Sequence, residues 1–282
     1  MTPLDYDYLR KLLRERSGLV LSADKQYLVE SRLLPVARRA GAANLPDLVQ
    51  KLKEPNAEPL LTEVVEAMTT NETFFFRDKI PFDNLRDTII PVLKMARTAR
   101  RQIRIWCTAA STGQEPYSIA MILDEMALTG WDCEIVATDL SNEVLERAKA
   151  GVYSQFEIQR GLPIKMLLKY FTQVGDSWQI APRLRAMVQF RPINLLRDFS
   201  ALGVFDVIFC RNVLIYFDEP TKTDVLDRLA LSLESDGYLA LGAAETVVGL
   251  TERFKPMAEC RGIYAPIALR RATPLRLVSA GR

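Results

Sequence analysis

The sequence contains no histidine among its 282 residues. This absence excludes a Ser-His-Asp triad, an imidazole general base and a histidine-ligated metal ion, and we expect no metal site. The chemistry must therefore work without histidine, or act on a substrate that needs little proton transfer.

Cysteine is scarce as well. The four cysteines, at positions 107, 133, 210 and 260, are widely spaced and form no Cys-x-x-Cys pair. This spacing disfavours a disulfide framework and a zinc site, and three of the four lie in apolar, strand-like runs. We predict buried free thiols.

Two further absences limit where the protein works and what it binds. No apolar run approaches the roughly 18 residues needed to cross a bilayer, and the acidic N-terminus does not resemble a secretory signal. The net charge is only +2, which gives no overall field that would attract nucleic acid. We expect a cytoplasmic protein that neither binds nucleic acid nor inserts into a membrane.

The first part of the chain has only helical patterns. An apolar stripe at helical spacing ends near Gly18, and no strand signal precedes Ile103. A second helix is predicted after Asp24 and runs towards Gly41, with Pro35 expected to kink or break it. We predict an all-α N-terminal domain over residues 1–78.

Strands and helices alternate in the rest of the chain, residues 79–282. The predicted strands are 103–108, 133–138, 188–193, 205–210, 238–241 and 262–265, and the predicted helices are 81–97, 116–128, 142–150, 164–170 and 220–233. This alternation predicts an α/β fold with a mostly parallel sheet and helices on both faces. The rhythm breaks near residues 171–190, where we predict a small antiparallel β-subdomain. The tail after Pro266 is basic, which is typical of disordered tails and less often of partner-binding ones.

The loop between the first strand and its helix runs from Thr108 to Gly113. It contains one glycine, so it is not the Gly-x-Gly-x-x-Gly turn that a dinucleotide pyrophosphate requires. A cofactor without phosphates fits it better. The loop could also be a plain strand–helix turn.

Polar residues follow the strands at the edge where open α/β sheets bind ligands. Asp139 could accept hydrogen bonds from ribose hydroxyls, or cap the next helix. Glu115 could hold a cationic part of a ligand, or simply be an acid in the first helical turn that the helix dipole favours. Arg211, Asn212 and Tyr216 are site candidates, although an asparagine can cap a turn and a tyrosine can be a core aromatic.

The segment TTNETFFFR, residues 69–77, places three adjacent phenylalanines between polar residues at the junction of the two domains. One interpretation is a hydrophobic hinge that packs the domains together. The other is that Arg77 and the Asn/Thr pair reach into the cofactor cleft.

Five segments in order resemble the chemotaxis receptor methyltransferases, the CheR family. They are TTNETFFFR, AASTGQEPYSIA, ATDLSNEVLERAKAGVY, NLL and FDVIFCRNVLIYF. The resemblance implies a helical domain joined to a Rossmann-like methyltransferase domain with a small β-subdomain. It implies a protein-glutamate O-methyltransferase of chemotaxis signalling that uses S-adenosyl-L-methionine, releases S-adenosyl-L-homocysteine, and acts on the cytoplasmic helical domains of chemoreceptors. Other chemotaxis proteins are further candidate partners, and we expect a monomer.

The resemblance also implies roles for individual residues. Arg77 would lie near the transferred methyl group and Tyr216 near the sulfonium and the incoming glutamate, and these two are the predicted catalytic residues. Glu115 would meet the methionine amine and Asp139 the ribose hydroxyls. The other predicted cofactor-binding residues are Asn71, Thr73, Ala110, Gly113, Asn194, Leu195, Arg211 and Asn212.

Two features depart from the family. Residues 172–181 contain one glycine, Gly175, whereas members that tether to a receptor's C-terminal peptide carry a glycine-rich loop there. The chain therefore need not use the tether. Pro35 interrupts a helix that presents arginines to the receptor in relatives.

A basic face on that second helix would recognise the substrate. Lys25, Arg32 and Arg39 are spaced by seven residues, with Arg38 beside them, so they share one face if the helix continues through Pro35. Receptor methylation helices are rich in glutamate, and a basic face would attract them. We predict that arginines 32, 38 and 39 bind substrate; the alternative is an ordinary solvated face.

The predicted reaction explains the missing histidine. A glutamate carboxylate, with a pKa of about 4.3, is already ionised at neutral pH and needs no base. Arg77 would orient it for in-line displacement. Three alternatives remain: a nicotinamide-dependent oxidoreductase, a non-catalytic S-adenosylmethionine sensor, and a methyltransferase of small molecules or nucleic acids, which the near-neutral charge disfavours.

Overall fold

The computed structural model describes residues 1–267, so the four arginines of the basic tail lie outside the described residues. The N-terminal part contains α1 (Pro3–Ser17), α2 (Gln26–Arg39), α3 (Leu45–Leu52) and α4 (Glu58–Met68). Thr2 begins α1 with a capping box, and Gly18 ends it at a φ of 76°. The four helices bury one apolar core around Leu9, Leu33 and Leu48, as the all-helical pattern predicted.

Pro35 was predicted to kink or break the second helix, and the break does not occur, because α2 continues through it. A proline inside a helix costs about 3 kcal/mol, since it removes one hydrogen bond and crowds the preceding turn. Here Leu33, two residues before the proline, and Val36, directly after it, are both fully buried in the same core. Their burial stabilises the helix on both sides of the proline.

The α/β part begins with a helical connection: α5 (Ile80–Asn84), a π-helical turn (Leu85–Ile89) and α6 (Ile90–Ala96). Its later helices are α7 (Gln114–Glu125), α8 (Asn142–Ala150), α9 (Gln155–Gln159), α10 (Ile164–Tyr170), α11 (Pro182–Arg185) and α12 (Glu219–Leu231). Its strands are β1 (Gln102–Cys107), β2 (Asp132–Asp139), β3 (Val152–Ser154), β4 (Phe171–Val174), β5 (Ser177–Ile180), β6 (Val188–Pro192), β7 (Phe205–Cys210), β8 (Leu233–Leu241), β9 (Phe254–Pro256) and β10 (Ile263–Pro266).

Seven strands form the main sheet in the order β6-β2-β1-β7-β8-β10-β9. The first five are parallel, and β10 pairs antiparallel with both β8 and β9. Apolar side chains cover both faces, with Tyr117 and Ile119 of α7 on one and Val225 and Leu229 of α12 on the other. The predicted α/β class and mostly parallel sheet are confirmed. The short strand β9 was missed.

The small antiparallel sheet has the order β3-β5-β4. The sequence predicted it near residues 171–190, and β4 and β5 lie there. Its third strand, β3, comes earlier, and residues 188–190 belong to the main sheet. A strand of three residues is too short to show an alternating pattern, which is why β3 was missed.

The four cysteines are free thiols, three of them buried and Cys133 half-buried, as predicted. No helix within residues 1–267 has the length and apolarity needed to span a membrane.

A buried ion cluster closes the sheet at the end where β1 and β7 begin. The Asp206 carboxylate accepts hydrogen bonds from Arg97 Nε at 2.7 Å, Arg100 Nη2 at 2.6 Å and the Arg104 backbone N–H at 2.8 Å. Its side chain is only 1% exposed, whereas that of Asp236, the other partner of Arg97, is 55% exposed. Asp206 is therefore the member that water cannot replace.

We predict that Asp206→Ala lowers the free energy of unfolding by about 3–5 kcal/mol, because it leaves the buried Arg97 Nε and the Arg104 backbone N–H without their acceptor. Asp236→Ala should cost no more than about 1 kcal/mol, since solvent screens that contact. Urea denaturation of both variants measures the difference. Equal losses would contradict the assignment.

Candidate active site

A cleft of about 960 Å³, including its open mouth, lies where β1, β2 and β7 end. Both halves of the chain line it. The helical part contributes Ser17, Leu19, Thr69 and Thr70, and the α/β part contributes the loops that follow the three strands.

The loop between β1 and α7 forms the floor of the cleft, but two of its predicted contact residues do not line it. Ala110 is fully buried, and its N–H donates to Thr138 O at 2.8 Å. Gly113 begins α7 at a φ of 96°, and a Cβ there would lie 3.0–3.1 Å from Ala148, Tyr117 and the Tyr153 hydroxyl. Both residues shape the loop from behind.

Asp139, at the end of β2, lies on the cleft wall. Its Oδ2 accepts from Ser111 N at 2.8 Å and its Oδ1 from Ser141 N at 3.0 Å. Each oxygen keeps a lone pair for a ligand hydroxyl. Burial raises the pKa of Asp139, while these backbone N–H groups oppose the shift. The cap of α8 is Ser141, whose side chain accepts from Val144 N, so Asp139 does not cap the helix itself and the ribose interpretation stays a prediction.

Glu115, in the first turn of α7, is paired with Arg211. Arg211 Nη1 lies 2.7 Å from Glu115 Oε2, and Arg211 Nη2 donates to Asp78 Oδ2 at 2.8 Å and to Arg77 O at 2.7 Å. Burial raises the pKa of Glu115, and the Arg211 charge opposes that shift. Arg211 therefore balances the charge of Glu115 and fixes the backbone at Arg77.

The three phenylalanines of the 69–77 segment have different roles. Phe75 is fully buried, with its ring 5.1 Å from that of Tyr153 and 5.5 Å from that of Phe171. It joins the segment to the small sheet and belongs to the core of the α/β part, not to that of the helical part. The Phe74 ring instead carries two guanidinium groups, those of Arg160 at 4.5 Å and Arg77 at 5.7 Å.

Arg77 lines the cleft, as the second interpretation predicted. Its Nη1 donates to Glu72 O at 2.5 Å, and Arg160 Nη2 pairs with the Glu72 carboxylate at 2.5 Å. The guanidinium is thus held by a carbonyl and an aromatic face. Neither contact takes up its Nε or Nη2, which remain available to a carboxylate.

Backbone strain is concentrated around the cleft. Seven residues other than glycine have a positive φ in the described chain. Ser111 and Asn212 line the cleft, and Phe76, Asp78 and Lys79 lie within two residues of Arg77, which also lines it. Such conformations cost about 1–3 kcal/mol each and tend to occur at functional sites.

The remaining predicted residues on the adenosine side also line the cleft. Asn194 donates from Nδ2 to Arg16 O at 2.6 Å and accepts from Leu196 N at 2.9 Å. The backbone oxygen of Tyr216 accepts from Val20 N at 2.9 Å. These bonds attach the α1–α2 connection to the α/β part, so the helical part closes one wall. The lining residues from the predicted set are Asn71, Thr73, Arg77, Glu115, Asp139, Asn194, Leu195, Arg211, Asn212 and Tyr216.

The predicted basic face is not formed as expected. Arg32 donates to Met68 O at 2.7 Å, Thr69 O at 2.8 Å and Thr70 Oγ1 at 3.2 Å. Arg39 pairs with Glu63 at 2.7 Å, and Lys25 lies in a 3₁₀ turn before α2. Within residues 1–267, Arg38 is exposed and its side chain makes no hydrogen bond or ion pair. Of the three predicted substrate-binding arginines, only Arg38 is free of such contacts.

Sequence reasoning missed Glu245. Its carboxylate lies beside the loop after β7 and accepts hydrogen bonds from the backbone N–H groups of Asn212, Val213, Leu214 and Gly242. A signal was available, because Glu245 follows β8 at the same edge of the sheet as Asp139 and Arg211. The intervening small residues, Gly242 to Ala244, obscured it.

The groups in the cleft suit S-adenosylmethionine. Three carboxylates and two guanidinium groups line it, giving a slightly negative site for a ligand with a sulfonium and an amine. Asp139 offers acceptors for two hydroxyls, and Leu140, Ile193 and Leu195 form an apolar wall beside it. No glycine-rich pyrophosphate turn is present in this part of the structure.

Comparisons with known proteins agree with the cofactor that the cleft suits. The family model described as "CheR methyltransferase, SAM binding domain" matches residues 71–263, and that described as "CheR methyltransferase, all-alpha domain" matches residues 4–69. Chemotaxis protein methyltransferase Cher2 of Pseudomonas putida is 41% identical over 263 residues, which cover 91% of this chain and 95% of that protein.

Two further relatives align over similar lengths. Chemotaxis protein methyltransferase 1 of Pseudomonas aeruginosa is 42% identical, and the protein of that name in Vibrio cholerae is 41% identical. Each alignment covers 91% of this chain and 94% of the relative. The resemblance seen in the sequence is confirmed: the chain belongs to the CheR family and is an S-adenosylmethionine-dependent methyltransferase of chemotaxis.

Proposed function

We propose that this enzyme methylates glutamate side chains on the cytoplasmic helical domains of methyl-accepting chemotaxis receptors. The observation that carries the proposal is Arg77, whose half-buried guanidinium lines the cofactor cleft with Nε and Nη2 available to a carboxylate. The cleft has no histidine to serve as a base, and a carboxylate nucleophile needs none. The names of the relatives, chemotaxis protein methyltransferases, favour the same substrate class.

We assign the cofactor contacts from the cleft walls. Asp139 would hold the ribose hydroxyls, Glu115 the methionine amine, and Asn194, Leu195 and Asn212 the adenosine side. Asn71 and Thr73 would complete the wall on the side of Arg77. When bound, S-adenosylmethionine supplies a methyl group activated by its sulfonium.

The chain's own contribution to the reaction is orientation. Arg77 would hold one carboxylate oxygen and leave the other free to attack, and Tyr216 would border the path by which the glutamate enters. Positioning of this kind can supply roughly 7–11 kcal/mol of the barrier. The Phe74 ring and the Glu72 carbonyl fix Arg77, so little order has to be created when the substrate arrives.

The wider setting follows from this substrate. Receptor methylation helices are cytoplasmic, so we place the enzyme in the cytoplasm. We propose separately that it works as a monomer. The β4–β5 turn supports binding without a receptor tether: Val174 pairs with Ser177, which leaves only Gly175 and Asp176 in the turn. Such a turn has no room for a glycine-rich loop.

We expect transfer of a radiolabelled methyl group from S-adenosylmethionine to a purified receptor cytoplasmic domain, and loss of the label in mild base, because carboxyl esters are base-labile. Arg77→Ala should lower kcat about 100-fold, the effect of a misplaced reactant. The exposed Arg191→Ala is the matched control. Cofactor binding without any transfer would instead indicate a sensor, and normal turnover of Arg77→Ala would remove its proposed role.

Asp139→Asn should weaken S-adenosylhomocysteine binding about tenfold or more at neutral pH, since it removes charged hydrogen bonds. Because the pKa of Asp139 is raised, this carboxylate is protonated at a higher pH than an ordinary aspartate. On acidification of the wild type, the part of the S-adenosylhomocysteine affinity that depends on its charge should therefore be lost at a higher pH. The Asn variant should lack this component and keep any due to Glu115, whose pKa is also raised. Calorimetric titrations across pH, with Asp132→Asn as control, test this; parallel pH profiles would count against Asp139.

Arg38 and Arg32 should affect different steps. Arg38→Glu should raise the KM for the receptor domain severalfold and leave S-adenosylhomocysteine affinity unchanged, because Arg38 is exposed and without side-chain contacts. Arg32→Ala should weaken S-adenosylhomocysteine binding about 5–30-fold, the equivalent of 1–2 kcal/mol, because it releases the 69–70 backbone that lines the cleft. Steady-state kinetics with calorimetry separate the two, and an Arg32 effect confined to receptor KM would restore its predicted substrate role.

A further inference from the structure

Glu245 accepts more backbone hydrogen bonds than any other carboxylate near the cleft. Its Oε2 accepts from Asn212 N and Gly242 N, both at 2.8 Å, and its Oε1 accepts from Leu214 N at 2.8 Å and Val213 N at 3.0 Å. Three of these donors are consecutive residues of the loop after β7. Successive N–H groups that point at one spot form an anion-binding nest.

The nest forms because the loop adopts an unusual backbone. Asn212 has a φ of 58°, in the left-handed region, which turns its N–H towards the same point as those of its two neighbours. Without an anion, the parallel N–H dipoles of the loop would repel one another, and the N–H groups would lose the hydrogen bonds that they could make to water. The Glu245 carboxylate supplies the negative charge and the acceptors that stabilise it.

The ordered loop carries residues of the active site. Asn212 and Tyr216 line the cleft, and Arg211, directly before them, holds Glu115 and the backbone of Arg77. Gly242 is packed closely against both Glu245 and Asn212. A Cβ at Gly242 would lie 2.7 Å from Glu245 Oε2 and 3.0 Å from Asn212 N. A shift of Glu245 would therefore displace the loop residues that line the cofactor cleft.

We propose that Glu245 is a positioning residue for the cofactor site: its carboxylate, as the anion of the nest, sets the conformation of residues 211–216. Glu245 does not contact the proposed ligand positions itself. This inference rests on the family's use of S-adenosylmethionine and does not require glutamate to be the methyl acceptor.

Glu245→Gln tests the need for an anion at nearly constant shape. Oε2 accepts from two N–H groups and Oε1 from three, the third being Ile215 N at 3.4 Å. Either orientation of the amide would therefore point its own N–H₂ at two or more donors. Calorimetry should show S-adenosylhomocysteine affinity reduced about tenfold or more, the loss of about 1.4 kcal/mol. Glu252→Gln, an exposed neighbour, should leave the affinity unchanged.

Glu245→Ala allows the anion to be restored from solution. Acetate matches the lost CH₂–COO⁻ group, so it should restore S-adenosylhomocysteine affinity in a saturable manner and raise the thermal midpoint of the unliganded variant. Acetamide, or chloride at equal ionic strength, should do neither. Thermal unfolding without ligand shows whether each variant is folded.

Two results would overturn the proposal. One is a folded Glu245→Gln protein with wild-type affinity, even if its thermal midpoint is lower, because Glu245 would then serve folding alone. The other is a folded Glu245→Ala protein that acetate does not restore. Both readouts use S-adenosylhomocysteine without receptor, so failure of the receptor-glutamate proposal would leave them interpretable.

Discussion

The whole cleft depends on the hydrogen bonds made by one side chain, the guanidinium of Arg211. It is 1% exposed and holds Glu115 of α7, Asp78 and the backbone of Arg77 at 2.7–2.8 Å. Three segments far apart in the chain thus meet at one side chain. Burying such charges is costly, and Arg211 Nε has no hydrogen-bond partner among the described residues. The Arg211–Glu115 pair is therefore evidence of a fixed arrangement at the site more than of added stability.

The architecture was largely predictable because it follows from periodic patterns. Alternating strands and helices gave the parallel sheet, and the rule that ligands sit beyond the strand ends selected Asp139, Glu115 and Arg211. The same rule, applied to β8, would have found Glu245. It was not applied there because small residues separate the strand from the carboxylate, and sequence alone does not show that backbone N–H groups converge on a point.

Other misses share one physical cause, which is that tertiary contacts override local signals. Pro35 remains inside a helix because buried neighbours hold both sides of it. Arg32 has the spacing of a surface residue, yet it turns inwards to bind carbonyl groups at the end of α4. Ala110 and Gly113, which the family resemblance assigned to the cofactor, do not line the cleft, and their small size serves close packing behind the loop.

The packing of Gly113 has a consequence for how this sequence can evolve. Its Cα is enclosed by Ala148, Tyr117 and Tyr153, and the Tyr153 hydroxyl also donates to Thr112 O at 2.9 Å. The small sheet and the cofactor loop are therefore interlocked at atomic contact. A substitution at Gly113, Tyr117, Ala148 or Tyr153 therefore requires a compensating substitution at another of the four. The β-subdomain can vary freely in sequence only on the surface that faces away from these contacts.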